Sequence, residues 1–142
     1  WNYYQSVETP QNKKFVANFK AYCKRNNLPD GENRVNDDPM EAAYFGVYVW
    51  KQAVEKAGSI EVDKVRKAVY GQKFLAPGGP IMMDEANQHT HKPVLIGEIL
   101  KNGQLKVVHR SKGLVKPEPW SEYTNPEKGC DWINHQGTYQ KK

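Results

Sequence analysis

The sequence has no apolar run long enough to cross a bilayer as a helix. It has no CxxC pair and only two cysteines, Cys23 and Cys130, so zinc-finger and thioredoxin-type sites are not expected. No serine sits in a GxSxG turn and no histidine stands at a motif spacing from Cys23, which removes the usual nucleophile signatures. No block of basic residues occurs. The net charge of +5 is spread as Lys and Arg among Asp and Glu. The tightest basic group is Lys13, Lys14, Lys20, Lys24 and Arg25. It falls on one predicted helix and reads as a solvated face, so nucleic acid is not an expected partner. Internal repeats and low-complexity segments are also absent.

What is present suits one α/β domain. Four Trp, eight Tyr and four Phe in 142 residues supply enough bulk for a single core. Trp1 to Val7 is aromatic-rich and reads as a strand already under way at the first residue. With no initiating Met, that predicts a fragment whose N-terminal segment was removed or never included. Thr9-Pro10 opens a first helix with an N-cap and a proline at the first position. Phe15, Phe19 and Tyr22, with Val16 and Cys23 beside them, form its apolar stripe, and it ends near Asn26-Asn27. Cys23 on that stripe reads as a buried thiol; a bridge to Cys130 is the alternative in an exported protein.

Leu28 to Asp37 reads as a loop. Asp38 is then the expected cap of a second helix, with Pro39 at its first position, Glu41 reaching back as in a capping box, and Gly58 as its stop. From Met40 to Trp50 this helix is almost continuously apolar, which predicts burial on most sides by more partners than so short a chain supplies. Val62, Val65 and Val69 mark a third helix ending at Gly71. Two short extended segments flank Pro77-Gly78-Gly79-Pro80. Val94 to Leu100 and Leu105 to His109 read as a hairpin closed by Asn102-Gly103 in a type I′ turn. From Gly113 the chain reads as an extended tail that includes Gly129-Cys130-Asp131-Trp132.

Three constellations invite chemistry. His89 and His91 would share a strand face, but no third ligand stands at a diagnostic spacing, so structural histidines are expected and no metal. Gly78-Gly79 is followed by a strand-like segment instead of the helix an anion loop needs, and reads as a turn. Met82-Met83 reads as core. No catalytic residue and no cofactor is predicted.

Several motifs in fixed order carry a resemblance. Val7-Glu8-Thr9-Pro10-Gln11-Asn12-Lys13 leads to Asp38-Pro39-Met40-Glu41-Ala42-Ala43-Tyr44 and then Trp50-Lys51-Gln52-Ala53-Val54. Gly71-Gln72-Lys73-Phe74 and the run from Asn87 to Glu98 complete it. Together they resemble the C-terminal third of urea/short-chain-amide substrate-binding proteins of ABC transporters, within the type I periplasmic binding proteins and related to branched-chain amino-acid binders.

The resemblance implies two α/β lobes joined by three crossovers, with ligand held between them. This chain would supply part of the second lobe, helices on a mostly parallel sheet, plus a C-terminal β-hairpin region. Residues 1–123 would form that portion and 124–142 a tail, with the N-terminal lobe missing. The expected ligand-binding positions are Met40 as an apolar wall, Glu41 and Tyr44 beside it, and Trp1 and Tyr3 facing the cleft; for Glu41 the capping role is the stronger reading. Implied partners are urea or a small amide, bound weakly or not at all by the fragment, and the permease subunits of a transporter. The implied location is periplasmic or extracellular. An amide-sensing regulator, a branched-chain amino-acid binder and a stand-alone interaction module are the competing readings.

Overall fold

Thr9 caps the first helix through its side chain, which accepts the Asn12 N–H at 3.0 Å, and Pro10 occupies the first turn. In this computed structural model, which describes residues 1–118, helix α1 therefore spans Pro10–Arg25. It buries Phe15 and Cys23, whereas Tyr22 stays exposed with the Arg25 guanidinium 5.8 Å from its ring centre. Cys130 lies outside the described residues, as does the Gly129–Trp132 patch.

A 3-10 turn (Gly31–Asn33) leads to α2 (Asp38–Ala57). Its cap is Asp37, not Asp38: the Asp37 carboxylate accepts the Met40 N–H at 3.0 Å. Gly58 ends the helix at φ 59°, in the left-handed region that glycine tolerates. The buried stripe Glu41, Phe45, Val49 and Ala53 steps by four along the helix. Among the described residues the other apolar face is open, with Val47 64% and Trp50 55% exposed. Helix α3 (Val62–Ala68) packs Val65 and Ala68 against Ala53 of α2, while Val62 is exposed.

Strands β1 (Lys73–Ala76), β2 (Gly79–Met83) and β3 (Thr90–His91) form an antiparallel sheet in that order. Phe45, Val49, Ala76 and Ile81 make the core between it and α2. Strands β4 (Leu95–Ile99) and β5 (Leu105–Arg110) form the expected hairpin, with a register shift between Ile96 and Gly97. The α/β partial lobe and the terminal hairpin are as expected. The expected mostly parallel sheet is not found: every strand pairing among the described residues is antiparallel, because the connections are short and a parallel pair needs a crossover of a dozen residues or more.

Two local expectations fail. The Asn102-Gly103 turn is not type I′. The Gly103 N–H bonds the Leu100 carbonyl at 2.9 Å, only Gly103 has positive φ (77°), and Leu100 pairs with Gln104, which makes a three-residue loop. Trp1 to Val7 is not a strand: after Trp1 exchanges two hydrogen bonds with Leu95, a turn at Gln5-Ser6 ends the pairing.

An aromatic ladder ties these pieces together. Tyr3 meets Phe15 edge-on at 6.3 Å, Phe15 meets Tyr44 at 4.8 Å, Tyr44 meets Tyr48 at 4.9 Å, and Tyr48 stacks on Phe74 at 5.2 Å.

Candidate functional site

Asn12 shapes the first segment. Its carboxamide oxygen accepts the Tyr3 hydroxyl at 2.7 Å, and its Nδ2 donates to the Gln5 and Val7 carbonyls, each at 2.7 Å. The turn so held places Tyr3 to Ser6 opposite the loop that starts α2, where the Asn36 N–H donates to Gln5 Oε1 at 2.9 Å. The third wall is the β4–β5 turn, held by the Ser6 hydroxyl on the Leu105 carbonyl. Between them lies a cavity of about 430 Å³ lined by Trp1, Tyr3, Tyr4, Gln5, Ser6, Val35, Asn36, Asp37 and Gly103 to Leu105.

Asn36 is only 2% exposed, and neither its Nδ2 nor its Oδ1 has a hydrogen-bond partner among the described residues. A buried, unpaired carboxamide is uncommon and costs about 1–3 kcal/mol. Burial, then the charges of Glu41 and Asp37, push the Tyr3 phenol well above its ordinary range, so it stays a protonated donor.

Behind the wall, Glu41 is fully buried. One carboxylate oxygen accepts the Gly78 N–H at 2.6 Å and the other meets Lys92 Nζ at 2.7 Å. Lys92 also reaches Asp38 at 2.6 Å and lies 5.3 Å from the Phe45 ring centre. Glu41 therefore does not close a capping box; Asp37 already caps the helix, and Glu41 joins α2 to the β1–β2 turn. A Cβ on Gly78 would stand 2.8 Å from Glu41 Oε1, so a side chain there would push the carboxylate off its partners.

The structure brings Trp1 (67% exposed, at the rim) and Tyr3 (buried) together with Asn36 and Asp37. Met40, Glu41 and Tyr44 do not line the cavity. Met40 is half-buried in the first turn of α2. Tyr44 is a rung of the ladder, its phenol raised first by burial and then by the neighbouring Tyr48. Sequence reasoning missed Asn36, Asp37, Tyr4 and Gln5. Polar residues before a helix look alike whether they cap it or face a ligand.

Two other features stand apart. A hollow of about 460 Å³ between α2, α3 and β2 is mostly apolar, with Arg66, Gln88 and Thr90 as its polar members, and holds none of the expected site residues. His91 bonds Asp84 at 2.7 Å while His89 is exposed, so the two histidines do different things. Asp84 is held below its ordinary 3.8 by the Ala86 N–H first, then by His91 and the Asn87 N–H. Among the described residues no three His, Cys, Asp or Glu side chains gather as a metal site would require.

A family model described as a periplasmic binding protein domain matches residues 1–126. A protein named limonene hydroxylase from Geobacillus stearothermophilus is 29% identical over 118 residues, 83% of this chain and 20% of that protein. Leu/Ile/Val-binding protein homolog 6 of Brucella abortus is 26% identical over 102 residues, 71% of this chain and 24% of the relative. Among solved structures, an ABC-transporter solute-binding protein from R. palustris in complex with 4-hydroxybenzoate superposes with a TM-score of 0.64 at 26% identity. That superposition covers 80% of this chain and 30% of the other. The chain thus spans between a fifth and a third of the length of these relatives.

Proposed function

This chain belongs to the periplasmic binding protein domain family, and on that premise we propose that it forms part of an ABC-transporter solute-binding protein that captures urea or a short-chain amide. The observation that carries this reading is the cavity at the start of α2. Three segments far apart in sequence build it, and it combines aromatic walls with a buried carboxamide and a carboxylate, the mixture small-ligand sites use. Trp1 and Tyr3 act as wall residues. Met40, Glu41 and Tyr44 support the wall from behind. Residues 1–123 form the domain portion and 124–142 a tail, a division supported by a family match that ends at residue 126.

The work is capture, not chemistry. A small amide has few atoms with which to offset the desolvation of the groups that grip it, about 1–3 kcal/mol for each one left unpaired. A full set of donors and acceptors is therefore needed, and residues 1–142 alone are expected to bind weakly or not at all. The partners are the amide or urea, a further lobe and a membrane permease, with the protein outside the cytoplasmic membrane. No helix of the described residues is long and apolar enough to cross it.

Isothermal titration of the complete gene product with urea, acetamide, leucine and 4-hydroxybenzoate tests the reading. Saturable binding of an amide supports it. Binding of leucine alone would favour a branched-chain amino-acid binder, the reading that the Brucella relative's name supports. Heat absent for all four would sink the solute-capture reading.

A further inference from the structure

We propose that Asn36 is the residue that reads the ligand in this cavity, and that it takes an uncharged group bearing both an N–H donor and a carbonyl acceptor while Asp37 turns carboxylates away. The inference rests on the reading of the cavity as the solute site.

The Asn36 backbone N–H is already bonded to Gln5. Only the side chain is left over, and among the described residues it is left over at both ends. A carboxamide offers one acceptor and two donors. A primary amide or urea matches it with two antiparallel hydrogen bonds, each group giving one N–H and accepting one. A carboxylate has acceptors only, so it would leave Asn36 Oδ1 facing a second negative oxygen.

The charges around the cavity point the same way. A helix N-terminus usually favours an anion, but at α2 that place is taken. The Asp37 carboxylate holds the Met40 N–H, and Pro39 has none to offer. Asp38 and Glu41 follow in the same turn. Among the described residues the nearby cation, Lys92, is committed to those two carboxylates. Arg34 is exposed and is not part of the wall.

The test is titration of the complete gene product and its Asn36→Ala, Asn36→Asp and Asp37→Asn variants with acetamide and with benzoate, alongside a thermal melt of each. In the unmodified protein acetamide should bind more tightly than benzoate. Asn36→Ala and Asn36→Asp should each weaken acetamide about tenfold or more. The melt of Asn36→Ala should be unchanged or higher, since no protein partner among the described residues is lost. Asp37→Asn keeps a side chain able to cap and should strengthen benzoate binding severalfold. Acetamide binding that ignores both Asn36 variants overturns the proposal and leaves the solute-capture reading standing; so does a preference for benzoate. Binding of leucine but of neither acetamide nor benzoate overturns the proposal alone; failure of the unmodified protein to bind any of these solutes overturns both.

Discussion

Asn12, at the start of α1, and Asn36, in the loop before α2, each keep 2% of their surface exposed, but their carboxamides are spent differently. Asn12 has three partners, and through them it fixes the turn that carries Tyr3, Gln5 and Val7. Asn36 has none among the described residues. The first is a joint, because removing it would leave the buried Tyr3 hydroxyl and the Gln5 carbonyl without this partner, while the Val7 carbonyl keeps the Thr9 N–H. The second leaves its own cost standing in the folded protein. Burial alone therefore does not separate a structural amide from a recognition amide; the hydrogen-bond ledger does.

Glu41 belongs with the joints, and its removal should have the largest effect. Glu41→Ala strands the Gly78 N–H and leaves Lys92 with Asp38 alone. Breaking a buried pair from one side costs about 3–5 kcal/mol. Guanidinium denaturation measures it, a better denaturant here than urea, itself a candidate ligand. A loss below about 1 kcal/mol would mean that the cluster behaves like a surface ion pair. Asn12→Ala should follow at about 2–3 kcal/mol, with the Tyr3 hydroxyl and the Gln5 carbonyl unpaired and the Val7 carbonyl left with the Thr9 N–H alone. It should also weaken ligand binding, because the Tyr3–Ser6 wall loses its shape. An unchanged melt would make Asn12 no more structural than Asn36.

Asp84 contributes less and reveals itself through pH. Its carboxyl is depressed in the folded state, so the unfolded chain binds the proton more readily. Its stabilisation is present above the ordinary value of 3.8 and is lost as pH falls through the lower folded value. In Asp84→Asn the fall in stability between pH 5 and pH 3 should be shallower than in the unmodified protein. Parallel curves for the two would remove Asp84 from the account.

The helices were legible because their ends are written locally. Thr9-Pro10 and Gly58 act through backbone geometry that neighbouring residues determine. Residues that act at long range were not. Glu41 has the spacing of a capping box, yet its partners are Gly78 and Lys92, 37 and 51 residues away. The three-residue hairpin loop escaped for a related reason: Asn102-Gly103 fits more than one turn, and the register of β4 on β5 decides which. At the site, Trp1 and Tyr3 stood out as aromatics. Asn36 hid in a loop whose Asn and Asp residues all look like turn formers.

The smallest expected change is the stability of Asn36→Ala, and it separates the two asparagines most cleanly. If the side chain had a protein partner, its loss would cost about 1 kcal/mol or more, as at Asn12. If it is held ready for a ligand, truncation removes an unpaired buried group and stability should stay level or rise by up to about 1 kcal/mol. Ligand at one high concentration should then stabilise the unmodified protein more than the variant, since binding to the folded state raises stability by RT ln(1 + L/Kd), with L the free ligand concentration, and the variant's Kd is larger. The two melting curves, with Asn36→Ala level or ahead without ligand and behind with it, would cross only if the amide at position 36 is there for recognition.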